Sequence, residues 1–145
     1  MAITKTSGRQ EVIEAKADFV LADLVSGTAV AAIDLPANAR VVNVLLRITT
    51  AFNSGTTDAL IVQSSEATPK AYITISAGSG ALAASKVWSS DPALAGTASS
   101  NVGFVNTAAS TLNVKWTGAG TAATTGAGTL LVEYVVNGRA AFSQG

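Results

Sequence analysis

From Arg40 to Phe52 the chain alternates between apolar and polar residues. Val42, Val44, Leu46, Ile48 and Phe52 hold the even positions, and Asn43, Arg47 and Thr49 hold odd ones, with Val41 and Leu45 as exceptions. Successive side chains of a strand point to opposite faces, so a period of two separates a buried face from a wet one. A helix would spread both sets around its circumference. The segment is therefore predicted to be a strand. Thr129–Asn137 repeats the pattern, with Leu130, Val132, Tyr134 and Val136 on one face and Leu131, Glu133, Val135 and Asn137 on the other. In Thr111–Thr117, Leu112, Val114 and Trp116 oppose Asn113 and Lys115.

Shorter strands are expected at Ala29–Leu35, which Pro36 closes, and at Asp58–Ser64, Ala71–Ala77, Ala83–Ser89 and Val102–Thr107. Turn-forming residues separate them, as at Pro36–Asn38, Asn53–Gly55, Gly78–Gly80, Asp91-Pro92, Gly118–Gly120 and Gly126–Gly128. The stretch after residue 10 has two readings. As a strand it places Ile13, Ala15, Ala17, Phe19 and Leu21 opposite Glu14, Lys16 and Asp18; as a helix it would start from a capping-box-like Ser7–Gln10. The alternation favours the strand. Short strands split by Gly-rich turns predict an all-β fold, a two-sheet antiparallel β-sandwich, jelly-roll-like, of about eight strands. The expected organisation is an N-terminal arm over 1–10, a sandwich over 11–138 and a C-terminal tail over 139–145, where Phe142 is an apolar anchor.

Composition narrows the function. Hydrophobic residues make up 48% of the 145 and suffice for a core, while charged residues are only 12%, about half the usual share. Small Thr, Ser, Ala and Gly residues take the place of charges, which suits strands, tight turns and close approach between surfaces. Nine basic residues balance nine acidic ones, and the basic residues are scattered singly, so no field favours nucleic acid or an anionic membrane. No apolar run approaches the ~18 residues of a membrane-spanning helix, and the start lacks the apolar core of a secretory signal.

Cysteine and histidine are both absent. That removes thiol and histidine nucleophile systems, the commonest general base and the usual zinc, haem and iron–sulfur ligands. Glu11, Glu14, Asp18, Asp23, Asp34, Asp58, Glu66, Asp91 and Glu133 remain, mostly beside turns or on the polar phase of strands, and are read as solvated surface carboxylates. An Asx-type turn explains Asn53–Asp58 more simply than a calcium loop does. The glycine-rich stretches lack the Lys-Ser/Thr and the helix of a phosphate loop, and Thr117–Gly128 is expected to be a flexible loop. Trp116 keeps phase with the core, and Trp88 is read as core first and subunit contact second. No catalytic residue, cofactor or metal site is expected, and the chain is not read as an enzyme.

Ile33-Asp-Leu-Pro36, the long strand Arg40–Thr50, the turn Ala51–Asp58 and the strand Ala59–Val62 follow one another in a characteristic order. With the closing segment Gly128–Val136 they resemble head-decoration, or cement, proteins of tailed bacteriophages. The resemblance covers roughly a quarter of the chain and is one of style. It implies a jelly-roll-like structural virion protein that binds the major capsid protein, stabilises the capsid and forms a homo-oligomer, a dimer or a trimer. Such a subunit is made in the host cytoplasm and located on the capsid surface. The implied subunit contacts are Ile3, Arg9, Trp88 and Phe142. The alternatives are a tail or fibre component, or a carbohydrate-binding module using Trp88 and Tyr72.

Overall fold

The computed structural model describes residues 11–78, 80–91 and 101–137. Within them lie eight strands: β1 (Ile13–Val20), β2 (Ala29–Leu35), β3 (Ala39–Thr50), β4 (Thr57–Ser64), β5 (Ala71–Gly78), β6 (Val87–Ser89), β7 (Ser110–Ala119) and β8 (Ala127–Val136). They form two four-stranded sheets, ordered β1-β8-β3-β6 and β2-β7-β4-β5. All pairings are antiparallel.

The order has a simple origin. The first strand pairs with the last, the second with the seventh, the third with the sixth and the fourth with the fifth. The chain is thus a ribbon of antiparallel pairs. Folding the ribbon over adds the β8–β3 and β7–β4 pairings and yields two facing sheets, the jelly roll. The predicted sandwich is the observed one. N-terminal Ile13–Val20 is a strand, as its alternation indicates, followed by a single 3-10 turn over Leu21–Asp23.

The central strands carry the core. Val44, Leu46 and Ile48 of β3, Leu130 and Val132 of β8, Leu60 and Val62 of β4, and Leu112 and Val114 of β7 are each at most 1% exposed. Burying such side chains stabilises the fold by roughly 1.5–3 kcal/mol each. This core fixes which face of each strand looks inward, and so which residues remain for contacts outside.

Three local expectations change. In β3 the inward residue is Val41 rather than Val42, which is 39% exposed against 1% for Val41. A bulge between Val41 and Asn43, opposite Tyr134 and Glu133, inserts one residue and reverses the phase. The expected strand Ala83–Ser89 contracts to Val87–Ser89, because Ser85 takes a φ of 68°. Val102–Thr107 retains one bridge, Val105 to Arg40, and Gly103 at φ 89° turns the backbone out of the extended conformation.

Candidate interaction surface

One corner of the sandwich uses its polar groups internally. Asp58 follows the buried phase of β4 with Leu60 and Val62, and is 6% exposed. Its carboxylate accepts hydrogen bonds from Trp116 Nε1 at 2.9 Å, from Ser54 Oγ at 2.6 Å and from the Ser54 amide at 3.1 Å. Trp116 in turn lies against Phe52, with ring centroids 5.7 Å apart. Gly118 leaves room for this arrangement, since a Cβ there would sit 2.5 Å from Cζ2 of Trp116. The reading of Asp58 as a solvated carboxylate is therefore corrected: it orients an indole and a turn. Its place in phase with Leu60 and Val62 was the available signal.

The same corner corrects the reading of Thr117–Gly128 as a flexible loop. β7 extends through Ala119, and β8 already begins at Ala127. Between them, Asn53 Oδ1 accepts the amides of Thr124 and Thr125 at 2.8 and 2.9 Å, while Asn53 Nδ2 donates to Thr124 Oγ1. The Gly55 amide donates to the Thr121 carbonyl and the Thr56 amide to that of Ala119. The oxygens of the Asn53–Asp58 turn thus face N–H and O–H donors, which is the chemistry of a clamp between loops.

A second region offers an open cleft of about 420 Å³, bordered by Ser65, Glu66, Lys70, Phe104 and Ser110. Lys70 Nζ lies 4.8 Å from the centroid of the Phe104 ring, a cation–π contact on a residue 40% exposed. Nearby, burial and the Glu66 charge push the Tyr72 hydroxyl up to about 12. Tyr72 is 3% exposed, so its ring is core and offers no platform to a sugar. No group of three or more acidic, His or Cys side chains able to hold a metal occurs among the described residues.

Of the four expected subunit contacts, Ile3, Arg9 and Phe142 lie outside the described residues. Trp88 lies in β6 opposite Leu46, so its ring turns between the sheets and packs against the core. Its Nε1 is buried with no hydrogen-bond partner among the described residues, and Lys86 Nζ stands 6.0 Å from the ring centroid. The side chain thus serves the core.

The sheet edges differ from one another. β6 is three residues long. β2 is bulged between Ala31 and Ile33, and β5 shifts register twice against β4. Short or bulged edges resist pairing with other chains. β1 is the exception, running in unbroken register against β8 from Ile13–Tyr134 to Val20–Ala127. On its outward face Lys16 and Asp18 form an ion pair of 2.9 Å. The Thr129 hydroxyl, donating to Asp18 at 2.6 Å, and the Lys16 ammonium hold that carboxyl below its ordinary pKa.

The strand order defines the described residues as an all-β jelly-roll domain. Its fold recurs in chains of three bacteriophage capsid structures. A chain in the acid-stable capsid of Helicobacter pylori bacteriophage KHP30 superposes with a TM-score of 0.60 at 18% identity, covering 89% of this chain and 93% of that one. One in the capsid asymmetric unit of cyanophage Pam1 gives 0.60 at 16% identity, covering 94% and 91%. One in the capsid of Ralstonia phage GP4 gives 0.56 at 16% identity, covering 95% and 91%. Such high coverage on both sides means that the matched chains are close to this one in length. No family model matches the sequence, and no curated protein matches it.

Proposed function

We propose that this chain is a structural subunit of a bacteriophage virion, a head-decoration or cement protein that binds the major capsid protein on the capsid surface and stabilises the shell. The observation that carries the reading is the likeness of nearly the whole domain to chains of similar length in three phage capsids. The physical character of the chain supports it. A cement subunit holds neighbouring subunits together against pressure from packaged DNA, which calls for a rigid body rather than a reactive cleft. The two packed sheets supply that body. A balance of nine cationic and nine anionic side chains suits lateral packing on an outer surface and gives no field for DNA. The segments 1–10 and 139–145 would act as arm and tail, with Ile3, Arg9 and Phe142 as contacts.

The test is to add purified protein to undecorated, expanded capsids and to measure uptake and the temperature at which the particles rupture. Saturable uptake with a higher rupture temperature is the expected result. Capsids that take up no protein contradict the proposal.

A further inference from the structure

The hydrogen bonds of β1 show which of its backbone groups β8 uses. Beyond the strand's end the Leu21 amide donates to the Gly126 carbonyl at 2.8 Å. In an antiparallel ladder, hydrogen-bonded pairs recur at every second residue. Stepping back along the register therefore assigns the backbone groups of Phe19, Ala17, Ala15 and Ile13 to β8. The N–H and C=O groups of Glu14, Lys16 and Asp18 point away from the sheet, where no described residue takes them. The next amide in that series, Val20, is already closed by the Asp23 carboxylate at 2.9 Å. Among the described residues the open edge is thus bounded at one end and free over five residues, 14–18.

The side chains of that edge say what can lie along it. Glu14, Lys16 and Asp18 share the outward face as a palindrome of charge: acidic, basic, acidic. In the antiparallel register that uses all three residues, a second copy would place Lys16 on Lys16 and Glu14 on Asp18. A parallel copy in register would also set like on like. Like charges directly opposite across a sheet are destabilising, so full overlap with another copy is disfavoured. The pattern complements a strand carrying basic, acidic, basic on its outward face. The inward residues Ile13, Ala15 and Ala17 are only half-buried where they pack against the core rim, so the intervening positions of that strand would be apolar.

We infer that the β1 edge is a strand-addition site for an extended segment of a different protein, with basic–apolar–acidic–apolar–basic sequence. Backbone hydrogen bonds to residues 14, 16 and 18 would give affinity, and the three charges would give specificity. The inference deepens the reading above by assigning this edge to the shell-binding function, with the segment supplied by the capsid partner.

A synthetic heptapeptide with lysine, glutamate and lysine at its second, fourth and sixth positions and valine elsewhere is the probe. Amide exchange and chemical-shift titration are read on the full chain. In the free protein the amides of Glu14, Lys16 and Asp18 should exchange fast and those of Ala15 and Ala17 slowly. Peptide should slow the first three and bind about tenfold more tightly than its charge-inverted counterpart, three cross-strand charge pairs being at stake. The E14K/K16E/D18K variant, which keeps the backbone edge, should reverse that preference. Slow exchange of the Glu14, Lys16 and Asp18 amides in the free protein would mean that its own arm or a second copy fills the edge, and would overturn the inference. Equal binding of the two peptides, or no binding, would also overturn it. If the peptide binds as expected while capsids take up no protein, the decoration reading fails and the site stands. If capsids take up the protein with residues 14, 16 and 18 still exchanging fast, the site fails and the decoration reading stands.

Discussion

The corner built on Asn53, Asp58 and Trp116 and the edge built on β1 treat polar groups in opposite ways. At the corner, Asp58 accepts three hydrogen bonds, and Asn53 ties two successive amides of the opposing loop. At the edge, a regular eight-residue strand leaves a row of backbone groups turned outward, while every other edge strand is short or irregular. The corner spends its polar chemistry on the fold and the edge keeps it for another chain. Changes at the corner should therefore lower stability and spare binding, and changes at the edge should do the reverse.

The largest effect is expected from Trp116→Ala, which removes a buried ring packed on Phe52 and leaves Asp58 short of a donor. Thermal or denaturant unfolding should show a loss of about 3–5 kcal/mol. Asp58→Ala keeps the ring but strands its Nε1 and the Ser54 amide, for an expected loss of about 1–3 kcal/mol. If Asp58→Ala unfolds at the wild-type denaturant midpoint, the corner is not the clamp described. Lys16→Pro removes an amide that points away from β8, so stability should change by less than about 1 kcal/mol, within the tolerance of edge strands for proline. The same variant should lose binding of the heptapeptide, and retained binding would break the contrast between the two regions.

The smallest effect is a titration. The Thr129 hydroxyl and Lys16 depress the Asp18 pKa, so the stabilisation they provide is present above the ordinary value of 3.8 and is lost as pH falls through the lower folded value. Thr129→Val should raise the Asp18 pKa toward 3.8, read by NMR titration of its carboxyl carbon. An unchanged midpoint would show that the hydroxyl does not hold the carboxylate.

Much of the body was legible because local chemistry and tertiary packing agree there. β2 occupies Ala29–Leu35 as expected, since Pro36 has no amide with which to continue a ladder. β7 and β8 follow their alternation, and Trp116 keeps the buried phase of Leu112 and Val114. Illegible were the features made by residues distant in sequence. The bulge at Val42 depends on the register of β3 against β8, and alternation alone placed that residue on the wrong face. The low-complexity Thr117–Gly128 stretch carries no apolar pattern, and its order comes from Asn53, about seventy residues earlier. The inward phase of Asp58 with Leu60 and Val62 was legible locally, but the indole that donates to it comes from β7, 58 residues later in the chain. The β1 charges were visible in the alternation, but their value as an edge appears only once β8 is known to cover one side.

The central claim is assembly on a phage head, and cryo-electron microscopy of expanded capsids incubated with the full chain tests it most directly. The account predicts jelly-roll density on the outer surface of the shell, with an added strand of the shell protein lying along β1. Bare capsids, or density confined to the tail, would contradict it.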